Sequence, residues 1–112
     1  GCKMAGIGPF IPHPDTPLAD QPPGDPELTK RAVALARILI PDANLPVTTA
    51  LGLVDGRENA FACGANVVMK KVTPDEYKEA YEIYPAKLDK TNIKEDRKQL
   101  EQQIRALGRI PV

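Results

Sequence analysis

The chain has 112 residues, and its 15 Lys plus Arg are balanced by 15 Asp plus Glu, for a formal net charge of zero. That length fits one small domain, and the lack of basic excess argues against a nucleic acid or an acidic membrane surface as partner. Its two cysteines, Cys2 and Cys63, stand too far apart for the dense pattern of a secreted scaffold, and no apolar run reads as a membrane span or signal peptide, so a cytoplasmic protein is expected.

Residue 1 is glycine and a strand begins almost at once, so a fragment or excised domain is expected. Residues 4–10 read as that strand. It enters GIGPFIPHPDTPL (residues 6–18), with prolines at Pro9, Pro12, Pro14 and Pro17. Each proline fixes its own φ and lacks a donor, so this segment is neither helix nor central strand but a stiff loop. It carries Phe10, Ile11 and Leu18, which a plain solvated linker avoids, and rigid loops of this kind shape sites above a scaffold.

A helix is predicted over residues 26–40, with Asp25 as N-cap and Pro26 at the first helical position. Leu28, Ala32, Leu35 and Leu39 make one apolar stripe, with Lys30, Arg31 and Arg37 on the outer face and Pro41 as the stop. A second strand is expected near residues 46–51, rich in β-branched Val47, Thr48 and Thr49. Gly52 and Asp55-Gly56 lead to a short helix over about residues 57–63, ended by Gly64. The third strand is short, residues 66–70. Thr73, Pro74 and Glu76 then give an N-cap, a proline at N1 and a capping-box glutamate for a helix to about Tyr84. Tyr77, Ala80, Tyr81 and Tyr84 lie along one side of it.

Alternating strands and helices with short connections imply an α/β fold with parallel, right-handed units. The first domain is expected over residues 1–85. Residues 86–112 read as a linker and one amphipathic terminal helix over residues 92–107, with Ile93, Leu100, Ile104 and Leu107 as its stripe and an Asn92–Glu95 cap pair.

Four stretches together, GIGPFIPHPDTPL, PDANLPVTTALG (41–52), GANVVM (64–69) and TPDEYKEAYEIYP (73–85), resemble the HydE maturases of [FeFe]-hydrogenase. These are radical S-adenosylmethionine (SAM) enzymes related to biotin synthase. The likeness covers residues 4–85 with spacings intact apart from a shortened loop at 53–56; biotin synthase and methylornithine synthase carry less similar loops. The resemblance implies a partial (β/α)8 TIM-type barrel: its last three β/α units, corresponding to the biotin and thiamin synthesis associated (BATS) region, plus the terminal helix.

On residues alone, Thr48 and Thr49 read equally as strand formers or as polar handles in a mostly apolar wall at the strand ends. The resemblance implies that Met4, Thr48, Thr49 and Tyr84 line a substrate cavity and that Met69 and Tyr81 contact SAM. Without it, an aromatic stripe is more often core. Radical SAM chemistry needs three cysteines in a CxxxCxxC loop to hold a [4Fe–4S] cluster, and this chain has no such motif. The auxiliary cluster cysteines that some HydE proteins carry after the Tyr-Pro segment are also missing. No metal ligand and no catalytic residue is therefore expected here. His13, the single histidine, reads as shaping its loop through Asp15 or a backbone carbonyl.

Two functions follow. The first is a piece of a radical SAM maturase, inert alone, whose parent uses SAM and the cluster on a small molecule. Its partners are the N-terminal part of the parent barrel and that substrate. The second is a non-catalytic partial-barrel binding or assembly module. Either leaves unpaired strand edges, so self-association of the chain is expected.

Overall fold

The computed structural model describes residues 1–69, 73–84 and 97–112. Helix α1 (Pro26–Leu39) starts where its capping residues dictate: Asp25 is extended, its Oδ1 accepts the Glu27 N–H at 2.8 Å, and Pro26 follows at N1. Its buried face is not the expected leucine stripe. Thr29 and Val33 are buried and Ala36 and Ile40 pack against the core, whereas Leu28, Leu35, Ile38 and Leu39 are exposed. The buried face sits about a third of a turn around from the stripe. Small residues let α1 approach its neighbours closely; the leucines are left outside.

Arg37 corrects the outer-face expectation too. Its Nε donates to Gly64 O at 3.0 Å, and its Nη1 donates to Pro41 O at 2.6 Å and Ala43 O at 2.8 Å. One guanidinium thus satisfies three turn carbonyls that have no ladder partner. Lys30 is also tied down. It bridges Glu27 and Asp55, at 3.0 Å from the latter, with its side chain 13% exposed.

The sheet is parallel throughout. Strand β1 (Pro46–Val47) pairs with β2 (Val67–Val68), Pro46 facing Val67 and Val47 facing Val68. The expected first strand contributes two parallel bridges, Met4 with Asn44 and Ile7 with Val47, so Ile7, Val47 and Val68 stand level. Gly6, Gly8 and Pro9 keep that segment from being a continuous strand.

The second strand is shorter than expected. Thr48 is extended and serves as N-cap of α2 (Thr49–Asp55), so residues 49–51 are helical. A threonine pair has both properties, and capping wins here because a hydroxyl can satisfy an orphan N–H of the first turn. Gly56, at φ 80° and ψ 157°, turns the chain from α2 into α3 (Arg57–Ala62), close to the expected 57–63. The third strand is likewise cut to Val67–Val68; Asn66 instead offers its Oδ1 to Leu45 N–H at 2.7 Å, and Lys70 lies outside the described residues.

Val33, Leu45, Val47, Leu51 and Phe61 form the core with Ala43, Ala60 and Ala65, and Ala5, Ile7 and Val68 pack onto it. The helices therefore cover one side of the strands. The observed class is α/β with parallel strands, and among the described residues no helix is long and apolar enough to cross a membrane.

Residues 73–84 depart from the expected helix. Asp75–Tyr81 is a 3₁₀ helix with no side-chain cap, its first turn closed by Tyr77 N–H to Pro74 O at 3.0 Å. Thr73 caps nothing, because Pro74 at ψ 146° still runs extended between it and the helix. Tyr84 falls beyond the helix, so Tyr81 and Tyr84 do not share a helical face, and Tyr77 is exposed rather than core.

Helix α4 (Arg97–Ala106) has Leu100 and Ile104 half-buried and no residue fully buried, and Gly108 (φ 72°) follows it. Arg109 Nη2 reaches Phe61 O at 3.4 Å, fastening the tail to α3. The linker, Ile93 and the Asn92–Glu95 cap lie outside the described residues.

Candidate functional site at the strand ends

Parallel strands all end on one side, and the register fixes what meets there. Since Val47 is level with Val68, Thr48 is level with Met69 on the neighbouring strand, about 4.8 Å away across the ladder. Alternation from Ile7, Val47 and Val68, which face the helices, turns Met4, Gly6, Gly8, Thr48 and Met69 to the opposite face. The glycines confirm the direction: a Cβ on Gly6 would meet Pro46 Cγ and Thr48 Cγ2, each at 3.9 Å. Met4 and Met69 are 54% and 58% exposed on this face.

Met4 does not reach the strand ends. It pairs with Asn44, four residues before Thr48, and so sits about 13 Å lower along the sheet, on its open face. Thr49, the first residue of α2, is half-buried. Tyr81 ends the 3₁₀ helix, 71% exposed, and Tyr84 is half-buried beyond it. Of the six sequence-predicted residues, the ladder thus brings Thr48, Thr49 and Met69 to one edge and Met4 to the same face.

Above the first strand, residues 10–24 form a loop closed at its stem by Gly24 N–H to Phe10 O at 2.8 Å. Gly24 must be glycine, because a Cβ there would lie 2.5 Å from Phe10 N. Inside the loop, His13 Nδ1 accepts the Asp15 N–H at 3.2 Å, and His13 O accepts both the N–H and the hydroxyl of Thr16, at 3.2 and 2.9 Å. His13 shapes its loop, as its sequence surroundings suggest.

Among the described residues, no charged residue belongs to the strand-end set. The charge near α1 is a network in which the hydrogen bonds that Lys30 donates to Glu27 and then Asp55 push its pKa up to about 12. A second concavity, a groove of about 800 Å³ between α4 and residues 65–68, includes Phe61, Val67, Leu100 and Ile104. Its two arginines are already engaged, Arg97 with Glu101 at 2.8 Å and Arg109 with Phe61 O. It lacks convergent free polar groups, so the strand ends are the better candidate.

Cys2 is exposed and Cys63 half-buried, both free, and among the described residues no three His, Cys, Asp or Glu side chains gather as a metal site. The residue that sequence reasoning missed is Gly8, whose added Cβ would lie 2.6 Å from Thr48 Oγ1. The glycine alternation in Gly6-Ile7-Gly8 was the available signal.

The family model of the Biotin and Thiamin Synthesis associated (BATS) domain matches residues 7–106. The chain belongs to the BATS family. It is 56% identical over 87 residues to the [FeFe] hydrogenase maturase subunit HydE of Thermotoga maritima, covering 76% of this chain and 25% of that protein. It is also 43% identical over 60 residues to the biotin synthase of Desulfovibrio desulfuricans, covering 52% of this chain and 19% of the relative. This BATS domain thus spans a quarter or less of those relatives' length.

Proposed function

We propose that this BATS domain is the C-terminal part of a HydE-type radical SAM enzyme, forming the last three units of a (β/α)8 barrel. In that reading the open sheet face is barrel interior. Met69 and Tyr81 meet SAM, thioether and ring packing on its apolar and aromatic parts. Met4, Thr48, Thr49 and Tyr84 line the cavity of a small-molecule substrate. The observation that carries the reading is that Thr48 and Met69 directly follow the paired Val47 and Val68, with Met69 exposed, at the C-terminal strand ends where barrel enzymes build their sites.

Among the described residues the wall is neutral: it fits part of SAM but supplies no partner for its charges. When bound, SAM supplies a C5′–S bond that one electron can cleave. The [4Fe–4S] cluster does not fit this chain, since two free cysteines cannot supply three thiolates. The chain alone is accordingly inert.

Two measurements test this. Anaerobic incubation of the 112-residue chain with iron and sulfide should give no cluster absorbance and no 5′-deoxyadenosine from SAM and dithionite. In the intact parent, Tyr81→Ala should weaken SAM binding while leaving the melting temperature unchanged. Unchanged SAM affinity for both Tyr81→Ala and Met69→Ala would refute the assignment.

A further inference from the structure

Hydrogen bonding separates the two threonines. Thr48 Oγ1 donates to Ile7 O at 3.3 Å and accepts the Leu51 N–H at 3.4 Å. Its single proton is thereby used, and it cannot also donate to a ligand. Ile7 is the last bridged residue before the proline loop, and Leu51 lies in the first turn of α2. One hydroxyl therefore joins the root of the loop to the root of a helix, across two neighbouring strands.

Gly8 is the other half of this contact. A Cβ there would lie 2.6 Å from Thr48 Oγ1, 3.3 Å from Thr48 Cβ and 3.6 Å from Ala50 Cβ. The positive-φ glycines are Gly56, Gly64 and Gly108, so Gly8 is required by space rather than by backbone conformation. Threonine has no long stem to bend aside. Adding the methyl would force χ1 to rotate and carry the hydroxyl away from both partners.

We propose that Gly8 and Thr48 interlock to set the spacing between the loop root and α2, so that Thr48 acts in the cavity wall as a positioning residue rather than as a hydrogen-bond donor to the ligand. The inference rests on the barrel reading above for its functional half only. Separate, ordinary roles for Gly8 and Thr48 make a different prediction, because their substitutions would then act independently.

The test uses the intact parent carrying Gly8→Ala, Thr48→Ala, both together, Thr48→Val and Thr48→Ser. Denaturant melts give the coupling. Thr48→Ala in the Gly8→Ala background should cost much less than in the wild type, since the hydroxyl is already displaced; strict additivity would overturn the interlock. For function, 5′-deoxyadenosine formation is followed at saturating SAM with dithionite. Thr48→Val, which keeps shape and loses the hydroxyl, should lower the rate on the order of tenfold, and Thr48→Ser should restore it. A coupled pair with wild-type turnover in Thr48→Val would overturn the positioning role. A wild-type parent that forms no 5′-deoxyadenosine would instead refute the barrel reading, while the melts still decide the interlock.

Discussion

The two faces of the sheet obey opposite rules. The helix-covered face is filled: Leu45, Leu51 and Val33 are almost wholly buried, and even Arg37 has three carbonyl partners. The other face is sparsely covered: Pro46 is buried there, but Gly6 and Gly8 carry no side chain and two methionines are exposed where a free-standing domain would place more core. Stability should therefore respond to substitutions on the first face and ligand binding to those on the second.

The largest break in that pattern is expected at Leu51. Leu51→Ala should destabilise by about 2–5 kcal/mol, since a buried leucine leaves a cavity that its neighbours only partly fill. Denaturant unfolding measures it, and a change below about 1 kcal/mol would mean that α2 is not anchored as described. Gly24→Ala should follow. Its Cβ meets backbone, not a movable side chain, so the loop stem must open, and amide exchange at Gly24 should accelerate. Retained protection there would count against the stem.

Arg37→Met tests whether a charge on the filled side acts through its donors. The swap keeps much of the stem's packing and orphans three carbonyls, so a loss of about 1–3 kcal/mol is expected. On the sparsely covered face, Met4→Ala should stay within about 0.5 kcal/mol of the wild type in unfolding experiments. A larger loss would show that Met4 packs into the domain itself.

The smallest effect concerns pH. Lys30 has its pKa raised from 10.5 to about 12 in the folded chain, so its stabilising contribution is complete below 10.5 and fades as pH climbs toward 12. Across that window the wild type should lose stability relative to Lys30→Met. Parallel curves would mean that the pairs with Glu27 and Asp55 contribute nothing.

The sequence disclosed what local chemistry determines. Asp25 and Pro26 mark the start of α1, Gly64 and Gly108 mark stops, and residues 66–70 contain the strand Val67–Val68, because caps and φ restrictions act within a few residues. It misled where the decision is tertiary. Leu28, Ala32, Leu35 and Leu39 on α1 suggested a buried stripe, yet which face docks depends on how close the neighbouring helices come. Thr48 and Thr49 read as strand by propensity, and only the carbonyl of Ile7, 41 residues away in sequence, settles the hydroxyl of Thr48 into its cap geometry. Met69, Tyr81 and Tyr84 were found through likeness to HydE proteins; their exposure gives no reason of its own to single them out.

The hydrogen-bonded stem of the proline loop also has an engineering consequence. Its two ends, Phe10 and Gly24, are joined to each other before either reaches the strand or the helix. Strain generated by altered sequence between them is thus absorbed at the stem, and little is passed to the ladder. The loop behaves as a cassette: its interior can be exchanged for that of a relative, with Pro9, Phe10 and Gly24 kept, separately from the scaffold beneath it.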